Sequence, residues 1–339
     1  LFHTIVHGRK VAPAAVEARL EADYYRTARD NALRFHELGE SLAVLAAAGI
    51  QTLLPKGAAL AEPVYGNIAV RPMADFDVLV RPEDVEAALA ALAQRGYEGV
   101  EGETQASAAI AFESQFALSK PGPVETIIEI HWSLLDSPHH QHRLPMAWFW
   151  DTAAAVEIEG SETRVLGPEA LLLHLCAHLA LHHHGAGLLW LHDIAEVLHR
   201  HGDRLDWDLL LAKAGECDLV LPLQQVLPRV VKEWGVPVPH EIQERLLHLK
   251  PTPEEARVFN WLTAERRPVA QRFYAALAGM PGWRARLRYG AGNLFPSAAY
   301  MRRRYGIRHD VLLPLYYPYR WLVGLRSAAR LLGKRQTGV

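Results

Sequence analysis

The hydrophobic pattern of this chain changes period several times. Residues 13–48 are rich in Ala, Leu, Glu and Arg, open at Pro13 and stop at Gly49, which predicts one long helix or two stacked ones. A short apolar strand follows at 51–55, and residues 57–65 can form one or two helical turns. A second strand is expected at 75–80. Pro82 at a helix start, Glu83 and Asp84 in its first turn and Gly96 after its end mark the next helix. Two strands, 111–119 and 125–132, flank the turn residues Pro121, Gly122 and Pro123. A hairpin over 156–165 should turn at Gly160-Ser161. From Pro168 to about Gln271 the periods are helical, with breaks at Gly202, 235–237 and Pro251. There is no internal repeat and no low-complexity tract. The order predicts an α+β fold, with a small mixed-sheet domain and a mainly helical one. The expected boundaries are an N-terminal helical segment at 1–50, the α/β domain at 51–166, a helical domain at 167–271 and a C-terminal extension at 272–339.

The strand at 75–80 carries the chemistry. Asp75 and Asp77 are two apart, so a strand presents both on one face. Like charges held that close disfavour each other's ionisation unless a cation lies between them. Hard oxygen donors at a strand end suit Mg²⁺ or Mn²⁺, which is commonly held by one or two carboxylates together with substrate phosphates. In the strand at 125–132, Thr126, Ile128, Ile130 and Trp132 share one face, and Glu125, Ile127, Glu129 and His131 share the other. If the two strands are neighbours, Glu129 completes a three-carboxylate set, Asp75, Asp77 and Glu129, able to hold metal for an in-line phosphoryl displacement. Lys56-Gly57 precedes a helix start, where backbone N–H groups attract phosphate.

Lys56-Gly57, Tyr65, Arg71, Asp75-Phe-Asp77, Gly96-Tyr97 and Glu129-Ile-His-Trp132 together resemble the uncharacterised nucleotidyltransferase family of the DNA polymerase β-like superfamily. His174, His178, His182 and Trp190-Leu-His-Asp193 resemble that family's second half. The resemblance runs from about Leu42 to Trp207. It implies a Mg²⁺-dependent transferase that takes an NTP, most simply ATP, and passes its nucleoside monophosphate to an acceptor, releasing pyrophosphate. Asp75, Asp77 and Glu129 would be the catalytic and metal-binding residues, with Lys56, Gly57, Arg71 and His131 on the nucleotide. The wider superfamily has Gly-Ser after its first strand. Lys56-Gly57 stands there instead, so the resemblance implies that a lysine ammonium would take the phosphate-binding work of the serine hydroxyl.

Composition sets outer limits. At 339 residues, 50% apolar and 22% charged, the chain has ample core for two domains. A net charge of −2 gives no global signature of nucleic-acid binding, so nucleic acid is not the favoured partner, and the acceptor is expected to be a small molecule, peptide or protein. Cys176 and Cys217 are too few for a disulfide framework, which favours a reducing, cytoplasmic setting. No apolar run reaches the roughly 18 residues of a membrane span, and no signal peptide is visible. The chain opens on Leu1 rather than Met, so further sequence upstream is expected.

Several features have a competing reading. His174, His178 and His182 are spaced i, i+4, i+8, and with His183, His184, His192 and Asp193 they suggest an HD-type metal phosphohydrolase. No further carboxylate at suitable spacing closes such a cluster, so core hydrogen bonding is preferred, with Asp193 a buried helix anchor, Asp206 a helix cap and His178 or Asp193 available to a cleft wall. A nucleotide-binding regulatory or antitoxin-like module is the non-enzymatic alternative. Arg284, Arg286, Arg288, Arg302, Arg303, Arg304 and Arg308 crowd one segment, interleaved with Tyr289, Phe295, Tyr300 and Tyr305. Such a mix can bind phosphates or single-stranded nucleic acid, but exposed helix faces with snorkelling stems explain it more simply. Residues 312–332 are expected to pack on the body rather than lie on a membrane surface, because Pro314 and Pro318 interrupt a clean amphipathic helix.

Overall fold

The long N-terminal run forms one helix, α1 (Ala14–Ala47), which ends where Gly49 takes a positive φ of 75°. The computed structural model describes residues 13–100, 114–264, 283, 286–287, 290–291, 294–296, 298–305, 307 and 309–334. Among the extension residues named above, Arg284, Arg288, Tyr289 and Arg308 lie outside the described residues, as does 111–113 of the expected strand. After α1 come β1 (Leu53–Leu54), a single turn α2 (Ala58–Ala61), β2 (Asp75–Leu79), a 3₁₀ turn (Pro82–Asp84) and α3 (Val85–Gln94). Then follow β3 (Glu98–Gly99), β4 (Gln115–Lys120), β5 (Thr126–His131), α4 (Pro138–Arg143), α5 (Met146–Asp151), β6 (Ala154–Ile158) and β7 (Ser161–Val165).

These strands make one seven-stranded sheet in the order β3-β4-β5-β2-β1-β7-β6. It is mixed: β2 runs parallel to β5 and β1 parallel to β7, and the other pairs are antiparallel. The α+β class expected from the sequence is therefore the observed one. The β6–β7 hairpin turns one residue earlier than expected. Ile158 pairs with Ser161, and the turn residues are Glu159 and Gly160, with φ of 47° and 78°. Two successive positive φ values give a turn whose twist matches the strands, so Ser161 is already strand.

Period two divides the sheet's faces. Phe76, Val78, Ile128 and Ile130 point to one side and pack with Phe35, Leu38 and Leu42 of α1 and Val85, Ala88 and Leu92 of α3. Asp75, Asp77, Glu129 and His131 alternate with them and point to the other side.

That second side faces the helices: α6 (Pro168–Leu181), α7 (Leu188–His201), α8 (Trp207–Glu216), α9 (Val220–Trp234), α10 (His240–His248) and α11 (Pro253–Thr263). Asp206 caps α8, its Oδ1 accepting from Leu209 N at 2.9 Å. Helix α6 is central. Every residue from Ala170 to Ala180 is buried, so it has no wet face. Leu171, Leu175 and Leu179 join one apolar cluster with Leu191, Ile194 and Leu198 of α7 and Leu223, Val226 and Val230 of α9.

The last described elements are α12 (Ala298–Tyr305) and α13 (Leu313–Lys334). Contrary to the expected interruption, α13 is one helix that passes through Pro318. Pro314 falls in its first turn, where a missing N–H costs nothing.

Candidate functional site

The parallel pairing of β2 and β5 sets the geometry. Its register places Asp77 opposite Glu129 and Asp75 opposite Ile127. Paired residues of neighbouring strands share a face, so Asp77 and Glu129 project together toward α6, with Asp75 two residues before and His131 two after. His131 Nε2 lies 2.9 Å from Asp77 Oδ1 and 3.4 Å from Glu129 Oε2. Gln115 Nε2, from β4, donates to the same Glu129 oxygen at 3.2 Å.

Lys56 enters from the end of β1. Its Nζ lies 2.9 Å from Asp77 Oδ1, with the side chains 18% and 3% exposed. Gly57, at φ 58°, turns the chain sharply into α2. A side chain there would be strained, and its Cβ would stand 3.8 Å from Arg71 Nη1.

The charges hold one another. Burial alone would push the Asp77 carboxyl up, but the Lys56 ammonium and the His131 hydrogen bond keep it well below the usual carboxylate range. Burial would likewise lower His131, yet its hydrogen bonds to Asp77 and Glu129 raise it to about 9. Lys56 is raised by the Asp77 charge against its own desolvation. Asp75 moves the other way: burial and the neighbouring Asp77 charge raise its carboxyl.

These groups open into a cavity of about 250 Å³. One wall carries Lys56, Asp75, Glu129 and His131, and the other carries His174 and His178 of α6 with His182, His183 and Trp190. His178 thus stands on a cleft wall, as the sequence allows, whereas Asp193 does not line the cavity, and His174, His182 and His183 join the wall without having been expected there. The available signal was that α6 reads as apolar all round, so a histidine row on it must face an internal space rather than solvent. His178 and His182 stack, with ring centroids 5.1 Å apart, and His183 stacks on Trp190 at 3.5 Å. His182 pairs with Asp136, which also accepts from the Ser114 hydroxyl. Burial, reinforced by the Lys56 charge, lowers His174 to about 3 and holds His178 well below its ordinary value. Neither ring nitrogen of His174 has a hydrogen-bond partner.

Asp77, Arg71 and Gly57 are not among the residues that line the cavity; Asp77 is buried against Lys56 and His131. The Arg71 guanidinium is buried, with Nε and Nη2 donating to the two Asp193 oxygens at 2.9 and 2.8 Å. Tyr65 OH donates to Asp193 Oδ1 at 2.7 Å. Asp193, fully buried on α7, is thus the helix anchor expected from the sequence and joins α7 to the segment between α2 and β2.

Among the described residues, one group of three side chains brings metal-ligating atoms within 4.8 Å of one another: Asp77, Glu129 and His131. Two carboxylates with an imidazole, and a third carboxylate from Asp75 on the same face, are a donor set that fits a hard divalent cation. The histidines of α6 do not form such a group.

A family model described as "Uncharacterised nucleotidyltransferase" matches residues 1–234. No curated protein and no solved structure gives a significant match. The match spans the whole sheet, the cavity and both of its walls, and the chain belongs to this uncharacterised nucleotidyltransferase family.

Proposed function

We propose that the protein transfers a nucleoside monophosphate from an NTP, most simply ATP, to a hydroxyl-bearing acceptor, releasing pyrophosphate. The observation that carries this reading is the register that sets Asp77 beside Glu129, with Asp75 on the same face and Lys56 at their centre. Family membership supports a transferase at the coarse level.

Asp75, Asp77 and Glu129 would hold Mg²⁺ or Mn²⁺. Bound there, the ion would neutralise triphosphate charge and acidify the acceptor hydroxyl. The protein's own groups do the rest. Lys56 turns from Asp77 toward the triphosphate and offsets its charge. His131 fixes the carboxylates of Asp77 and Glu129 in their orientation. Glu129, which lines the cavity, accepts the proton of the acceptor hydroxyl. The acceptor oxygen bonds to the α-phosphorus, the bond from that phosphorus to the β-bridging oxygen breaks, and pyrophosphate leaves. Positioning and charge neutralisation supply most of the acceleration, because phosphoryl transfer needs little covalent help. Arg71 acts indirectly, tying the segment between α2 and β2 to α7 through Asp193. The opposite wall, His174, His178 and the His183–Trp190 stack, faces the reacting groups.

Calorimetric titration with ATP in the presence and absence of Mg²⁺ tests the reading. Wild type should bind Mg–ATP, and Asp77→Asn should bind it at least roughly tenfold more weakly, the scale of one lost charge-assisted contact. Binding that is indifferent to Mg²⁺ and to Asp77→Asn would overturn it.

A further inference from the structure

Charge is distributed along this chain very unevenly. Residues 266–339 contain 15 Lys and Arg against one acidic residue, Asp310. The remaining 265 residues hold the other 21 basic residues and 37 of the 38 acidic ones. The near-zero net charge therefore hides a strongly cationic C-terminal segment, which lies beyond the 1–234 covered by the family model. The same segment holds most of the large apolar side chains that are exposed among the described residues, from Trp283 and Leu287 to Leu322 and Val323.

Helix α13 orders these features. Its inner side is anchored: Tyr317 OH donates to Pro296 O at 2.8 Å and Trp321 Nε1 donates to Leu294 O at 2.7 Å. Leu315, Tyr319, Leu322 and Val323 follow at helical spacing on the other side and are exposed, Leu315 at 67% and Tyr319 at 53%. Arg326, Arg330 and Lys334 follow later in its sequence, and the helix contains no acidic residue. Among the described residues, no helix is long and apolar enough to cross a membrane.

We propose that α13 docks on the surface of an anionic lipid bilayer, lying in the plane of the interface with Leu315, Tyr319, Leu322 and Val323 in the headgroup–acyl boundary. A basic segment is attracted to an anionic surface whether that surface is lipid or nucleic acid. Exposed aliphatic side chains discriminate between them, because Leu315, Leu322 and Val323 gain from leaving water for acyl chains and have nothing to offer a phosphate or a base.

Co-sedimentation of the full chain with vesicles tests this. Wild type should bind vesicles containing phosphatidylglycerol roughly tenfold or more tightly than pure phosphatidylcholine, less so at high salt. Leu315→Ser with Leu322→Ser keeps the charge and changes only exposed positions, so its melting curve should match wild type while vesicle binding falls roughly tenfold. Leu315→Ser alone should weaken binding in the same direction. Failure of wild type to bind the anionic vesicles at low salt would overturn the proposal. So would serine variants that bind as well as wild type, or single-stranded RNA that is bound more tightly than the vesicles and equally by wild type and serine variants.

Discussion

Lys56 Nζ lies 2.9 Å from Asp77 Oδ1, and that contact places a cation inside a cluster of carboxylates. It has two consequences. In the free protein the ammonium offsets the repulsion among Asp75, Asp77 and Glu129. In the proposed reaction the same ammonium would be beside the place where the triphosphate charge must be held.

Removing Lys56 should therefore affect both stability and binding. Lys56→Ala leaves Asp77 buried with only His131 as its cation, and should cost about 3 kcal/mol in urea unfolding, the scale for breaking a buried pair. Lys56→Ala combined with Asp77→Asn should recover part of that loss, because the orphaned charge is gone. Mg–ATP affinity in the single variant should fall roughly ten- to a hundredfold. Lys56→Arg should rescue only in part, since a planar fork does not fill the place of a compact ammonium. A Lys56→Ala variant as stable as wild type would show that the pair is not formed in solution.

The Arg71–Asp193 pair should be a structural tie. Asp193→Ala leaves a buried guanidinium unpaired and should cost about 3–5 kcal/mol. Tyr65→Phe, which removes one hydrogen bond to the same carboxylate, should cost about 1–2 kcal/mol. The apolar double change Arg71→Met with Asp193→Leu should be milder than Asp193→Ala. Thermal or urea melts of the three variants decide it, and equal losses for the single and double changes would contradict the assignment.

The sheet faces, the α+β class and the carboxylate positions were legible in the sequence for a local reason. Glu129 and His131 alternate with Ile128 and Ile130, and Asp75 and Asp77 alternate with Phe76 and Val78, so period two fixes which side each takes. Three things were not legible. The parallel pairing of β1 with β7 joins Leu53 to Arg164 across more than a hundred residues, and no local pattern encodes it. The two-residue strand β3 and the six-residue helices α4 and α5 are too short to show a period. The resemblance implies a nucleotide role for Arg71, but no local pattern shows that its guanidinium pairs with Asp193, 122 residues away.

Buried neutral histidines should make the fold acid-sensitive. His174 and His140 are lowered by burial to about 3 and about 4, below the ordinary 6.5 that they recover on unfolding. The unfolded chain then binds more protons, so their contribution is fully present above about pH 6.5 and is lost as pH falls toward 4. Between pH 7.5 and 5 each should cost about 2 kcal/mol of unfolding free energy. His131 works in the opposite sense. Raised to about 9, it stabilises fully below 6.5, and that stabilisation is lost as pH rises through 9. Urea titrations at pH 7.5 and 5 check this, and His174→Leu should show a loss smaller by about 2 kcal/mol. A variant with the wild-type pH slope would mean that His174 is not held neutral.

The claim that Asp77 and Glu129 direct nucleotidyl transfer is tested most directly by following the phosphates. Wild type, Asp77→Asn and Glu129→Gln are incubated with Mg²⁺, a cell extract as acceptor source, and each NTP labelled in turn at the α- or the γ-phosphate. The account predicts that wild type moves α-label into a stable product, small molecule or protein, while γ-label appears only in pyrophosphate. Both variants should lose this transfer. Transfer of γ-label into an acceptor, or α-label transfer that persists undiminished in Asp77→Asn, would contradict it.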